Sequence, residues 1–158
     1  MHKTKIDITK DTRSKLIEIL NQSLADAADL KSQAKQAHWN VKGMNFIALH
    51  ELFDQVATEA EAYTDLIAER ITTLGGTALG TVRLAAEHSS LAEYPHEIMD
   101  GHDHVDALST ALADFGKRVR KNIDEADELG EKDTADLFTE VSRGIDKLLW
   151  FVEAHIQA

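Results

Sequence analysis

An all-α fold, a four-helix bundle with one long crossover, is what this sequence predicts, on three observations. Only one proline and eight glycines punctuate 158 residues, and 43% hydrophobic content suffices for one core. Apolar residues recur at helical spacing over four stretches. The first runs from Asp11 to about Trp39 and carries Leu16, Ile19, Leu20, Leu24, Ala27, Ala28 and Leu30. Gly43 marks a turn, after which a second helix extends from Asn45 or Phe46 to Leu74, where Gly75 and Gly76 stop it. Thr77 to Met99 contains Gly80 and Pro95 and reads as a long crossover, with a short helix near Ser89 to Tyr94. The third long helix spans about His102 to Glu128. Gly130 ends it, and Asp133 or Thr134 caps a fourth that runs to about His155, with Val141, Ile145, Leu148, Leu149 and Val152 on its apolar side. The links are short except between the second and third of these helices. Residues 1–10 are expected to be a short tail and residues 11–158 a single domain.

Composition narrows the classes of function. Zero cysteines exclude disulfides and thiolate metal sites and fit a reducing cytosol. Neither a secretory leader nor an apolar run long enough for a bilayer is seen, so a cytoplasmic protein without a membrane partner is expected. The formal charge of -11 repels nucleic acid on average and suits a surface that gathers cations.

Chemistry concentrates between Lys35 and Arg70. His38 precedes the Gly43 turn, and the helix after it sets His50, Asp54, Asp65 and Glu69 at roughly 0°, 40°, 60° and 100° around its axis, one face. Such acids normally face solvent, but here they share a face with a histidine and stand beside the apolar Phe53 and Leu66. Mixed imidazole and carboxylate ligation suits iron, and zinc would compete for the same ligands. Asp54 and Asp65 are separated by roughly 16 Å along the axis, whereas metal–ligand bonds measure about 2 Å. One chain therefore cannot close the site. A second copy packed antiparallel, crossing near Glu59 and Ala60, would bring the His50/Asp54 end of one chain to the Asp65/Glu69 end of the other and create two identical sites.

The segments QAHWNVKG from Gln36, NFIALHELFD from Asn45, D-x-x-x-E-R from Asp65, LGGTALGT from Leu74 and DKLLWFVEAHIQ from Asp146 together resemble the Dps family, ferritin-like mini-cages of starved or stressed bacteria. The similarity extends over nearly the whole chain. It implies a ferritin-like bundle and a two-iron intersubunit site, with His38, His50 and Asp54 from one subunit and Asp65 and Glu69 from its two-fold partner. It also implies that Fe(II) is oxidised, preferably by hydrogen peroxide, and that ferric mineral is stored inside a homododecameric shell. Trp39 alone reads as a buried anchor; in the family a tryptophan there sits against the iron pair and gives up an electron. The acid-rich run from Asp124 to Asp136 alone reads as a solvated helix end, while the resemblance places Asp127 and Asp136 in a three-fold pore that draws in Fe(II).

Other readings have residue-level consequences. His50 to Asp54 begins like the zinc-protease H-E-x-x-H but has aspartate where the second histidine belongs. The only Glu-x-x-His, Glu93 to His96, contains Pro95 and falls in the crossover, which argues against a centre inside one bundle. His102, Asp103 and His104 diverge around a helix and read as solvated surface at a helix start. No nucleophile elbow supports a hydrolase. Many Dps proteins coat DNA through a lysine-rich tail, which leaves nucleoid association open. Here Lys3, Lys5, Lys10 and Arg13 are offset by Asp7 and Asp11, so DNA binding is expected to be weak and to depend on avidity. The alternative is an architectural DNA-compacting protein with little or no iron oxidation.

Overall fold

The computed structural model describes residues 1–157 and contains α1 Lys10–Asn40, α2 Phe46–Thr73, α3 Val82–His88, α4 Gly101–Glu128 and α5 Lys132–Glu153. Helix α1 lies along α2 and α4 along α5; α1 also meets α4, and α2 meets α5, which closes the bundle. Leu16, Leu20, Leu24 and Leu30 of α1 face Phe53, Ile67 and Ile71 of α2, Leu108, Leu112 and Phe115 of α4, and Phe138, Val141 and Ile145 of α5 in one continuous core. These are the positions that the helical periodicity marks as apolar stripes. Among the described residues, no helix is long and apolar enough to cross a membrane.

Helix boundaries follow their capping groups. Thr9 Oγ1 accepts the Thr12 N–H at 3.2 Å, so α1 starts at Lys10 and extends to Asn40, one residue beyond the expected limit at each end. Helix α2 stops as expected at the glycine pair, where Gly75 adopts φ +84°, a left-handed conformation open to glycine at little cost. A Cβ at Gly75 would also stand 2.8 Å from the His2 carbonyl oxygen. The reason is that the tail lies there: the His2 N–H donates to the Gly75 carbonyl at 2.7 Å, Arg13 Nη1 donates to the Leu74 carbonyl at 2.8 Å, and Ile6 and Ile8 pack against the core.

Two expectations are corrected. The short crossover helix is Val82–His88, capped by Thr81, and residues 89–94 are not helical. The Ser89 hydroxyl donates to Asp29 at 2.5 Å, and the Ser90 N–H and hydroxyl donate to the buried Asp26 carboxylate at 2.7 and 2.8 Å, so this segment is tied to α1 and its polar groups are not free to cap a helix. Helix α5 is capped by Glu131, whose carboxylate accepts the Asp133 and Thr134 N–H groups at 3.1 and 2.9 Å. Asp133 and Thr134 therefore lie within its first turn, and the helix ends at Glu153. Asp100 likewise caps α4, which begins at Gly101, one residue before the expected start, and its carboxylate accepts the His102 N–H at 2.8 Å.

Candidate metal centre

Helix α1 ends and α2 begins side by side around the Gly43 turn, which sets His38 against His50. Their rings stack with centroids 3.7 Å apart and an interplanar angle of 21°. His38 Nδ1 lies 2.6 Å from the His50 carbonyl oxygen, and His50 Nδ1 lies 2.8 Å from the His38 carbonyl oxygen. A carbonyl only accepts, so each Nδ1 carries a proton and donates it. In the neutral ring this leaves Nε2 with its lone pair, the tautomer that binds a metal, and both rings are held in orientation by backbone. Both histidines are half-buried.

Asp54, one turn after His50, points its Oδ1 at Lys35 Nζ, 2.5 Å away. Nothing local in the sequence marks this lysine except its spacing, one helical turn before His38. The Lys35 hydrogen bond holds the Asp54 carboxyl below the ordinary range; partial desolvation opposes it, while the Lys35 charge and the two imidazoles act in the same direction. Lys35 also lies 5.9 Å from the centroid of the Trp39 ring. Trp39 is 67% exposed, which corrects the buried-anchor reading: in a single chain nothing covers it.

Asp65 and Glu69 stand exposed near the other end of α2, on the turns before its C-terminus. The structure brings His38 and His50 together and joins Asp54 to Lys35, but Asp65 and Glu69 are held apart from them by the length of the helix. Among the described residues of one chain, no three histidine, aspartate or glutamate side chains are gathered closely enough to hold a metal ion. Beside Glu69, Arg70 turns inward, donating from Nη2 to Glu131 at 2.7 Å and from Nε to Thr134 at 3.0 Å. Burial alone would raise the Glu131 pKa; hydrogen bonds from Thr134 and Arg70 outweigh it and bring the carboxyl below its ordinary value. Asp127 and Asp136 are exposed around this same turn, and Asp127 forms an ion pair with Lys132. His104, expected on the surface, is 1% exposed: its turn of α4 faces Tyr94 and Phe53, so packing, not solvent, decides its place.

The family described as a ferritin-like domain matches residues 17–158. The DNA protection during starvation protein of Agrobacterium fabrum is 49% identical over 156 residues, 99% of this chain and 96% of the relative. The chain belongs to the Dps family. Dps from Microbacterium arborescens in the high iron form superposes with a TM-score of 0.89 at 33% identity, covering 95% of this chain and 97% of that one. The Vibrio cholerae O1 Dps protein, described as a member of a broad superfamily of ferritin-like diiron-carboxylate proteins, gives 0.91 at 25% identity, with 99% and 98% covered. The ferritin-like bundle with a helix in its long crossover, expected from the sequence, is thus the fold of this Dps chain.

Proposed function

We propose that this Dps-family chain is a ferroxidase that oxidises Fe(II), preferably with hydrogen peroxide, and stores ferric iron inside a dodecameric cage in the cytoplasm. Iron handling is general among ferritin-like proteins. The observation that carries the reading is the split of ligands on α2: an imidazole pair with both Nε2 lone pairs freed, next to Asp54, at one end, and the exposed carboxylates Asp65 and Glu69 near the other. Two chains crossing antiparallel would complete two sites, each with His38, His50 and Asp54 from one subunit and Asp65 and Glu69 from its partner. A groove beside α2 combines Ala28, Trp39, Val82 and Ala85 with the charged Lys31, Lys35 and Glu61, and a second copy packed there would cover Trp39.

In this reading Fe(II) is the substrate. His38 and His50 bind it through Nε2, and the carboxylates neutralise its charge, so the ferric product is favoured. A pair of irons matches the two electrons that peroxide takes, and no hydroxyl radical leaves the site. Zinc competes for the same ligands. Trp39, at the edge of the site, is placed to supply an electron. Asp127 and Asp136 concentrate Fe(II) at an entry pore, with Asp127 partly offset by Lys132. DNA retention is weak, because the net charge is -11 and the tail is hydrogen-bonded along the end of α2. The tail and a single domain over 11–158 form the working unit.

Mixed cages test the shared site. His50→Ala and Glu69→Ala chains, each slow in peroxide-driven Fe(II) oxidation, should regain part of the rate when co-assembled, because some interfaces then combine two intact halves. No recovery in particles verified by native mass to contain both chains would count against this geometry.

A further inference from the structure

Tyr94 closes the crossover and His104 stands on the first turn of α4; both are buried, with the Tyr94 hydroxyl 2.7 Å from His104 Nδ1 and ring centroids 6.0 Å apart. Burial raises the phenol pKa and lowers that of the imidazole, so at neutral pH the phenol keeps its proton and the ring is neutral. The Tyr94 O–H then donates to Nδ1, and the ring's own proton sits on Nε2. That Nε2 is buried without a hydrogen-bond partner, a costly arrangement that asks for a reason. The groups around the ring supply one. Asp103 and Asp100 from the start of α4, the Ile98 carbonyl from the crossover and the Asn40 carbonyl from the end of α1 all favour the imidazolium. Tyr94 is thus hydrogen-bonded to a neutral base whose protonated form these neighbours favour. Phe53 packs nearby, its ring centroid 6.4 Å from that of His104; it immediately precedes Asp54 and lies one turn from His50.

A phenol gives up an electron most readily when its proton can move at the same time to a positioned base, since the cationic radical is then avoided. We infer that Tyr94 and His104 form an internal one-electron donor that discharges the second oxidising equivalent of hydrogen peroxide when only one Fe(II) occupies the site. This rests on the ferroxidase reading. One Fe(II) supplies one electron and peroxide takes two, so the balance is: H2O2, Fe(II), the Tyr94 phenol and neutral His104 give Fe(III), two hydroxide ions, the Tyr94 phenoxyl radical and protonated His104. The O–O bond breaks, the phenolic O–H proton passes to Nδ1, and iron and tyrosine are each oxidised by one electron. A later Fe(II) returns the electron, and His104 returns the proton. The other tyrosine, Tyr63, has the carboxylates Glu59 and Glu140 beside it, with Glu59 as its hydrogen-bonding neighbour, and so has a weaker base than an imidazole to take its proton.

Assembled cages given one Fe(II) per site and then peroxide are frozen within milliseconds for electron paramagnetic resonance, while ferric absorbance is followed in parallel. Tyr63→Phe leaves Tyr94 as the sole tyrosine and should retain the tyrosyl signal. Tyr94→Phe should abolish it and raise spin-trapped hydroxyl radical, and His104→Gln should cut its yield about tenfold. In the wild-type cage, ring-deuterated tyrosine should narrow the signal without any substitution. Normal ferric absorbance with no tyrosyl signal, with a tryptophan radical alone, or with a signal that survives Tyr94→Phe overturns the inference. Absence of ferric absorbance in the wild-type cage overturns the ferroxidase reading, and this inference with it.

Discussion

The two ends of α2 carry the same kind of chemistry and are built in opposite ways. At the start, His50 is fixed by a ring stack and two reciprocal hydrogen bonds with His38, and Asp54 is held by Lys35. Near the end, Asp65 and Glu69 stand in solvent, and no ion pair to either is formed among the described residues. What is anchored there is the neighbouring Arg70, through Glu131 and Thr134. One half-site is organised side chain by side chain; the other is positioned only by the rigidity of its helix. In the proposed shared site a preformed imidazole pair would wait for metal, while exposed carboxylates would adapt to what the partner presents.

The largest expected effects come from removing ligands. His50→Ala or Glu69→Ala should each slow peroxide-driven Fe(II) oxidation by about a hundredfold or more, in line with the sensitivity of metal sites to loss of liganding groups. Stability should separate the two ends. Asp65→Ala and Glu69→Ala are surface changes and should stay within about 0.5 kcal/mol of the parent in thermal or denaturant unfolding. His50→Ala strips the stack and leaves the His38 carbonyl without its donor, a cost of about 1 kcal/mol. Equal stability loss at both ends would remove the contrast between an organised and an unorganised half-site.

Next in size is the anchor behind the second end. Glu131→Gln keeps the shape but removes the charge that Arg70 and the α5 N-terminus face, and should lower stability by about 2 kcal/mol. The pH dependence has a fixed sign. Because the folded Glu131 pKa is lowered, its contribution is fully present above the ordinary glutamate range and is lost as pH falls through the lower folded value. The stability difference between parent and Glu131→Gln should therefore shrink only in acid. A difference that instead grew toward low pH would show that the pair is not what holds this turn.

The contrast also explains what could be read from sequence. Period and punctuation were enough for four long helices, because Leu16 to Leu30 or Phe53 to Ile71 carry the apolar stripe within a single helix. That His50, Asp54, Asp65 and Glu69 share one helix was legible for the same reason, and their relative direction around it follows from helix geometry. Partners across the fold were not. Lys35 meets Asp54 from 19 positions away, and Glu131 meets Arg70 from 61 away. Ser89 and Ser90 look like helix starters until Asp29 and Asp26 of α1 claim their hydrogen bonds, so the short helix falls earlier, behind Thr81. His104 reads as solvated surface because it falls at a helix start, whereas its own turn faces Tyr94 and Phe53.

Smaller in effect is the contribution of Lys35. In a single chain this ammonium occupies the carboxylate that Fe(II) is proposed to bind, and it sits over Trp39. Lys35→Met retains the apolar stem and removes the competing charge. At neutral pH the variant should bind Fe(II), or Co(II) as a redox-silent probe, up to about tenfold more tightly by calorimetry. Without Lys35 the Asp54 carboxyl returns toward its ordinary range, so the gain should fade as pH drops. Unchanged affinity would mean that the partner subunit's approach already displaces the lysine.

The smallest effect is expected for DNA, and it concerns what else the second end of α2 holds. The tail carries Lys3 and Lys5, and Lys10 opens α1, but the tail's backbone is bonded to Gly75, Arg13 grips the Leu74 and Ile8 carbonyls, and Ile6 and Ile8 pack against the core. A tail so held cannot extend to follow a phosphate backbone, and the chain behind it is strongly acidic. Cages should therefore shift duplex DNA little at pH 8 and about 0.15 M salt, where exposed charges are screened beyond roughly 8 Å. Retention should rise as pH falls toward 6, where imidazoles in general gain charge, or when magnesium bridges the two surfaces. Deleting Met1 to Lys10 should change the pH 8 result hardly at all. Tight retention at pH 8 without divalent ions, lost on that deletion, would show that the tail leaves its place on α2, and would make DNA compaction a principal function of the cage.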